Sequence, residues 1–195
     1  MTWTRNLINT LLCCSLSLLL GGCAGFSARG PDYTNAQMDF SAVQTVAVLP
    51  FQNLTDDDQA AERVRDAFMG MLLATETIYV LPPGEVSRGI IRVGMRTPET
   101  PAAEEVTKLK GILQVDAVIT GVLREYGAVR SGSAEANLVS LSLQMIETEN
   151  GTVVWSASST KGGITQADRL LGSGGRPMND VTTQVINDLL DQLFE

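Results

Sequence analysis

Histidine is missing from all 195 residues of the chain. Without an imidazole there is no Ser-His-Asp or Cys-His nucleophile, and most zinc and haem sites go with it, because each needs a nitrogen that titrates near neutrality or donates a lone pair. Cysteine is almost as scarce, at three residues. Basic charge is short as well: 14 Lys and Arg stand against 22 Asp and Glu, a net charge of -8. That balance argues against nucleic acid and against docking on anionic headgroups by charge. A membrane-spanning run is also lacking. The one candidate, Leu7 to Leu20, is broken by Asn9, Thr10, Ser15 and Ser17 and falls short of the roughly 20 apolar residues that a spanning helix needs. Only carboxylate or lysine chemistries are left to an enzyme, so the chain reads as non-catalytic, with no cofactor and no metal expected.

What is present near the start is a single Arg5, the short apolar run, and then Leu20-Gly21-Gly22-Cys23. A basic flank and an apolar stretch of this length read as a signal peptide. The four residues after them resemble the lipobox of bacterial lipoproteins, in which small residues admit the peptidase and the cysteine thiol takes the lipid. The resemblance implies cleavage after residue 22, a diacylglyceryl thioether on Cys23 and an acylated amine, usually palmitate. One acyl chain binds a membrane only marginally, at about 0.8 kcal/mol per buried methylene, so several chains make the anchor. Cys13 and Cys14 would leave with the signal peptide, and the exported chain would then hold no disulfide. Ala24 follows the cysteine in place of the Asp associated with inner-membrane retention, which points to the outer membrane and its periplasmic face.

The expected organisation is therefore residues 1–22 as signal peptide, 23–43 as lipidated N-terminus and tether, and 44–195 as one periplasmic domain. The tether mixes Gly, Pro, Ser and Asn without periodicity, and from Cys23 to Val46 it reaches at most ~80 Å.

Within the domain, "TVAVLPFQN" reads as a strand. Ala60, Val64, Phe68, Met71 and Leu72 recur at helical spacing, with Glu62, Arg63, Arg65 and Asp66 on the outer face. Asp56-Asp57-Asp58 reads as the capped start of that helix rather than a cation loop. "IYVLPP" is a second strand, and Pro83 opens a helix through Val86, Ile90 and Ile91. Thr100 is placed to cap a further helix, with Glu104 and Glu105 in its first turn, Lys108 and Lys110 in its last, and Val106, Leu109 and Leu113 inward. "VDAVITGVLREYG" is a strand with Gly121 where a neighbouring backbone comes close. Val139, Leu141, Leu143 and Met145 alternate with polar residues, and Asn150-Gly151 turns the chain into "VVWSASST", a C-terminal β-hairpin. A last amphipathic helix carries Val181, Val185, Ile186, Leu189, Leu190, Leu193 and Phe194 on one side. The fold class is α/β (α+β): a single mixed β-sheet with helices packed on it.

"VAVLPFQNLT" (Val46–Thr55), "VDAVITGVL" (Val115–Leu123) and "LQMIETENGTVVWSAS" (Leu143–Ser158), closed by an amphipathic helix, resemble the superfamily that includes the curli secretion lipoprotein CsgG, the amino-terminal domain of TolB and the penicillin-binding-protein activator LpoB. The resemblance implies a mixed sheet with helices in an envelope protein that binds other proteins. The function expected is that of a non-catalytic lipoprotein, an interaction or assembly factor for a cell-envelope complex. It would contact the membrane through covalent lipid, bind envelope proteins but no nucleic acid, and be open to forming a homo-oligomer. The alternatives are a CsgG-like secretion channel component, a penicillin-binding-protein activator, or an enzyme or small-ligand binder built on Asp56, Glu62 and Asp116. Partner contacts are expected on the irregular loops "GMRTPETPAA" and "GSGGRP", through Arg96 and Arg176, since arginine pairs with carboxylates while its stem covers apolar surface. "GSGGRP" lacks the ending of a phosphate-binding loop and reads as plain loop.

Overall fold

In the computed structural model, which describes residues 32–132, 134–164 and 175–194, the chain builds one sheet of seven strands. The strand β2 (Thr45–Val48), one in from an edge of the sheet, shows how the sequence sets the layers. Successive side chains of a strand point to opposite faces: Val46 and Val48 enter one core, Ala47 and Leu49 the other, and all four are fully buried. A strand buried on both sides reads as a continuous apolar run, which is how "TVAVL" reads.

Beside β2 lie β4 (Tyr79–Val80) and β5 (Ala117–Ser131), both parallel to it. β3 (Gln52–Asn53) continues along β5. Then β6 (Ala134–Glu147) and β7 (Val153–Gly162) follow antiparallel, and β1 (Tyr33–Thr34) closes the far edge on β7. The sheet is thus mixed. Helices α1 (Ala60–Ala74) and α4 (Met178–Phe194) cover one face with Val64, Phe68 and Leu72 and with Val185, Ile186 and Leu189. Helices α2 (Pro83–Val93) and α3 (Ala103–Leu113) cover part of the other with Val86, Val106 and Leu109. The apolar face of the β6–β7 hairpin, from Val139 to Met145, lies in the α1/α4 core.

Several local expectations are corrected. Thr100 is not the cap of α3. That helix starts at Ala103, and the Glu105 carboxylate accepts the Ala102 N–H at 2.9 Å, while the Thr100 N–H goes to the Thr97 carbonyl. At Gly121 the close neighbours are side chains: a Cβ there would stand 2.8 Å from Phe51 and from Leu143. Close backbone approaches lie elsewhere, at Gly162, at Gly175 and at Gly151, where a Cβ would meet the Ala103 carbonyl oxygen at 2.6 Å. Phe194 ends the α4 stripe 41% exposed. From the stretch expected as tether, Tyr33 and Thr34 join the sheet, and Met38 and Phe40 withdraw apolar surface from water by packing on the α1/α4 core. The signal peptide and Cys23 lie outside the described residues.

Candidate functional site

The β5–β6 pair outruns the sheet around it. Its rungs continue from Ala117–Glu147 to Ser131–Ala134, whereas β3 leaves β5 at Leu123 and β7 leaves β6 at Leu138. Past those points the two strands run on as a ribbon, with Gly163 and Gly175 alongside its β6 edge. A β-bulge between Leu123 and Glu125 marks its base, and bulges re-aim a strand and raise its twist. At the far end Gly132 has φ 62°, the left-handed backbone that a two-residue hairpin connection requires. Arg130 and Glu135 face one another across the two strands, with Nε 2.5 Å from the carboxylate. Both are exposed, so the pair adds at most about 1 kcal/mol.

At the ribbon's base the turn after β3 and the first turn of α1 come alongside. Asn53 holds this turn, its Oδ1 accepting the Thr55 N–H and its Nδ2 donating to the Asp57 carbonyl. Asp57 accepts the Gln59 N–H at 3.1 Å and pairs with Arg63. The Gln59 N–H first, then the Arg63 guanidinium, hold the Asp57 carboxyl below the usual carboxylate value. Arg63 in turn lies 5.7 Å from the centre of the Tyr126 ring. None of the acidic triplet caps α1, against expectation: the helix begins after Gln59 with no side-chain cap bond, and Asp57 turns the chain just ahead of it. Asp56 lines a cleft of about 240 Å³, with Leu54 and Thr55 on one wall and the Arg124–Val129 edge of β5 on the other.

The other residues singled out by sequence are dispersed. Asp116 is a strand fastener at the opposite end of the sheet, its Oδ2 accepting the Gln44 and Thr45 N–H groups at 3.0 and 2.9 Å. Glu62 is exposed on α1, and it does not converge with Asp56 and Asp116. Among the described residues no cluster of three His, Cys, Asp or Glu is placed to hold a metal ion. Arg96 is exposed on the loop after α2, next to Met95 of the α2/α3 core. Arg176 is exposed ahead of α4, its guanidinium donating to the Gln184 side chain and its carbonyl accepting from Asn137 Nδ2 at 2.7 Å. The two arginines therefore belong to loops on opposite faces of the sheet and do not form one surface. Gly175, from the glycine-rich stretch, runs along β6, where a Cβ would stand 2.6 Å from the Ala136 Cα.

Two features escape a reading of the sequence. Arg65, expected on the solvent side of α1, folds under it: Nε donates to the Val48 and Leu49 carbonyls at 3.2 and 3.0 Å, and Nη2 to Val48 at 2.6 Å. Burial depresses the pKa of its guanidinium from the usual value. The ribbon beyond Gly127 is the other. Its one local signal is the Ser131-Gly132 pair between Arg130 and Glu135, a turn dipeptide flanked by opposite charges.

None of the curated proteins matches this sequence. Among solved structures, lipoprotein GNA1162 from Neisseria meningitidis is 21% identical, with 77% of this chain and 97% of that one covered at a TM-score of 0.54. PelC from Paraburkholderia phytofirmans, solved as a dodecamer, is 15% identical, with 82% and 92% covered at 0.55. The C-terminal domain of LpoB from Salmonella enterica is 13% identical, with 64% and 87% covered at a TM-score of 0.47. At these identities the likenesses establish the fold alone. The family is given by the sequence itself, since a single family profile runs from residue 31 to residue 195: the chain belongs to the GNA1162-like family of lipoproteins.

Proposed function

We propose that this protein is a non-catalytic envelope lipoprotein, anchored at the periplasmic face of the outer membrane by acyl chains on Cys23, that acts as an interaction or assembly factor for a cell-envelope complex. The lipobox and the membership in a lipoprotein family support the anchor. The observation that carries the interaction role is the ribbon. Beyond Val139 it adds no residue to either hydrophobic cluster; its β6 edge is accompanied by Gly163 and Gly175, and its β5 edge carries backbone groups without a backbone partner among the described residues, the kind of edge that pairs with another chain. PelC, a dodecamer, supports assembly with further copies as part of that use. Arg96 and Arg176 are proposed as secondary contacts.

The test is made in the native envelope. Replacing Arg130–Glu135 by Asn-Gly keeps the Val129–Ala136 rung and gives a favoured two-residue turn. The shortened chain is expected to fold and to take up labelled fatty acid like the wild type, yet to lose cross-links to its envelope partners. Cys23→Ser is expected to leave an uncleaved, unlabelled precursor. Unchanged cross-links and full rescue of cells lacking the gene by the shortened chain would overturn the interaction role, and a wild-type protein without fatty acid would overturn the anchor.

A further inference from the structure

The length of the hairpin connection determines which backbone groups of β5 face outward. Where two residues connect the strands, the flanking pair, here Ser131 and Ala134, exchange both hydrogen bonds, and pairing alternates from there. Val129, Gly127 and Glu125 accordingly turn their amides into the ribbon. Tyr126, Ala128 and Arg130 turn theirs away from β6. The neighbouring bonds obey the same parity. On the outer side of β6 the Asn137 and Glu135 carbonyls accept from Gly163 and Gly175, at 2.8 and 3.4 Å, and below the bulge the Leu123 carbonyl of β5 accepts from Leu54 at 2.9 Å. One edge of the ribbon is thus occupied almost to its tip. The other is open, since among the described residues no backbone group pairs with the outward side of Tyr126, Ala128 or Arg130.

We infer that this open edge pairs with the same edge of a second copy, antiparallel, about a twofold axis at Ala128. The inference does not rest on the lipid anchor. In an antiparallel pair outward residues stand opposite outward residues, so a symmetric contact can centre on an outward residue or on the inward residue between two of them. Centring on Gly127 would set Arg130 against Arg124, like charges at the bulge, and centring on Val129 would set Tyr126 against the turn residue Gly132, so each of these leaves one outward residue of each copy without an outward partner. Centring on Tyr126 would set Arg130 of the second copy opposite Val122, where β3 already lies. Centring on Arg130 would set two guanidiniums against each other. Centring on Ala128 places Tyr126 opposite Arg130 of the second copy, twice, a cation over an aromatic ring, and leaves the smallest of the three side chains on the axis. It also brings the Ser131-Gly132 corner of each copy to the Arg124–Glu125 end of the other. There the cleft of about 240 Å³ beside Leu54 and Asp56 is open to receive small residues. About six main-chain hydrogen bonds result. The bulge and the charges at Arg124, Glu125 and Arg130 discourage pairing in other registers, as they do on protected edges generally.

The experiment uses the mature full chain in detergent. Ala128→Cys adds one thiol at the axis, where directly opposed Cα atoms fall within disulfide range. Mild oxidation is expected to give a dimer on a non-reducing gel, while Thr160→Cys on the β7 edge gives none. Ala128→Pro removes only an outward N–H, which edge positions tolerate, and is expected to weaken the dimer about tenfold or more in sedimentation equilibrium with unchanged circular dichroism. A wild type that stays monomeric at ~0.1 mM, a dimer that survives Ala128→Pro, or a cross-link in the Thr160→Cys variant and none in Ala128→Cys would each overturn the inference. Should the proline variant fail to fold, the two cysteine variants decide alone. Mass spectrometry of the same samples reports the state of Cys23, so failure of the anchor and failure of the dimer are separately visible.

Discussion

Arg65 shows how much a single side chain can contribute when it serves backbone. β2 runs into Pro50, and its last carbonyls, Val48 and Leu49, sit in fully buried residues. A forked guanidinium reaching down from α1 supplies donors to both. Buried acceptors left without such a donor cost roughly 1–3 kcal/mol each. Arg65→Met, which keeps the stem, is therefore expected to lower stability by about 2–3 kcal/mol in urea unfolding. Arg65→Lys should recover under half of that, because an ammonium cannot reproduce the fork. Nothing in the local sequence distinguishes this arginine from Arg63 two residues earlier. Both lie among the charges of one helix, and only the arrival of β2 beneath α1 separates their roles. Arg96 and Arg176 illustrate the converse: irregular loops single them out in the sequence, and the fold sets them on different faces.

At the scale of elements, legibility follows burial. β6 and α4 are legible because each buries one continuous stripe, Val139 to Met145 and Val181 to Leu190, and a buried stripe forces a period of two or 3.6 on the sequence. The outer half of the β5–β6 ribbon buries no such face. Gly127, Ala128 and the residues around Gly132 carry no alternation, and the strand they form is invisible without its partner. The β6–β7 connection is a mixed case. Asn150-Gly151 marks the turn, and Gly151 has φ 70°, but the closeness of the α3 N-terminus to that glycine is a tertiary fact. Gly151→Ala meets both obstacles, a left-handed backbone and the Ala103 carbonyl oxygen at 2.6 Å. A loss of about 1–3 kcal/mol is expected in thermal unfolding. Gly70→Ala, which has open space around it, should instead gain up to about 1 kcal/mol from helix propensity.

For the whole molecule, both cores draw on packing alone, and the sheet order places the N-terminal segment against its last strand. A chain beginning at Asp32 is expected to melt in one transition that neither chelator nor reductant moves. One beginning at Gln44 loses β1 and the Met38 and Phe40 contacts with the α1/α4 core. Those half-buried side chains together should contribute about 2–3 kcal/mol, so its midpoint is expected about 5–10 °C lower by calorimetry. Equal midpoints would mean that residues 32–43 are passengers on the fold.

The shortness of β1 has a mechanical consequence. Among the described residues, a pull on the N-terminus meets the Tyr33–Ser156 and Thr34–Trp155 rungs, the Asn35 N–H bond to Val154 and the packing of Met38 before it reaches the 3₁₀ turn at Phe40–Ala42. Beyond that stands β2, held between β4 and β5, one strand in from the opposite edge of the sheet. Tension would therefore release the outermost strand first and let out the dozen or so residues before β2, roughly 40 Å of chain at full extension, while the sheet and the ribbon kept their shape. A domain pulled from its N-terminus thus yields in two stages: a soft first stage that lengthens the free chain, and a stiff second one that unfolds the protein.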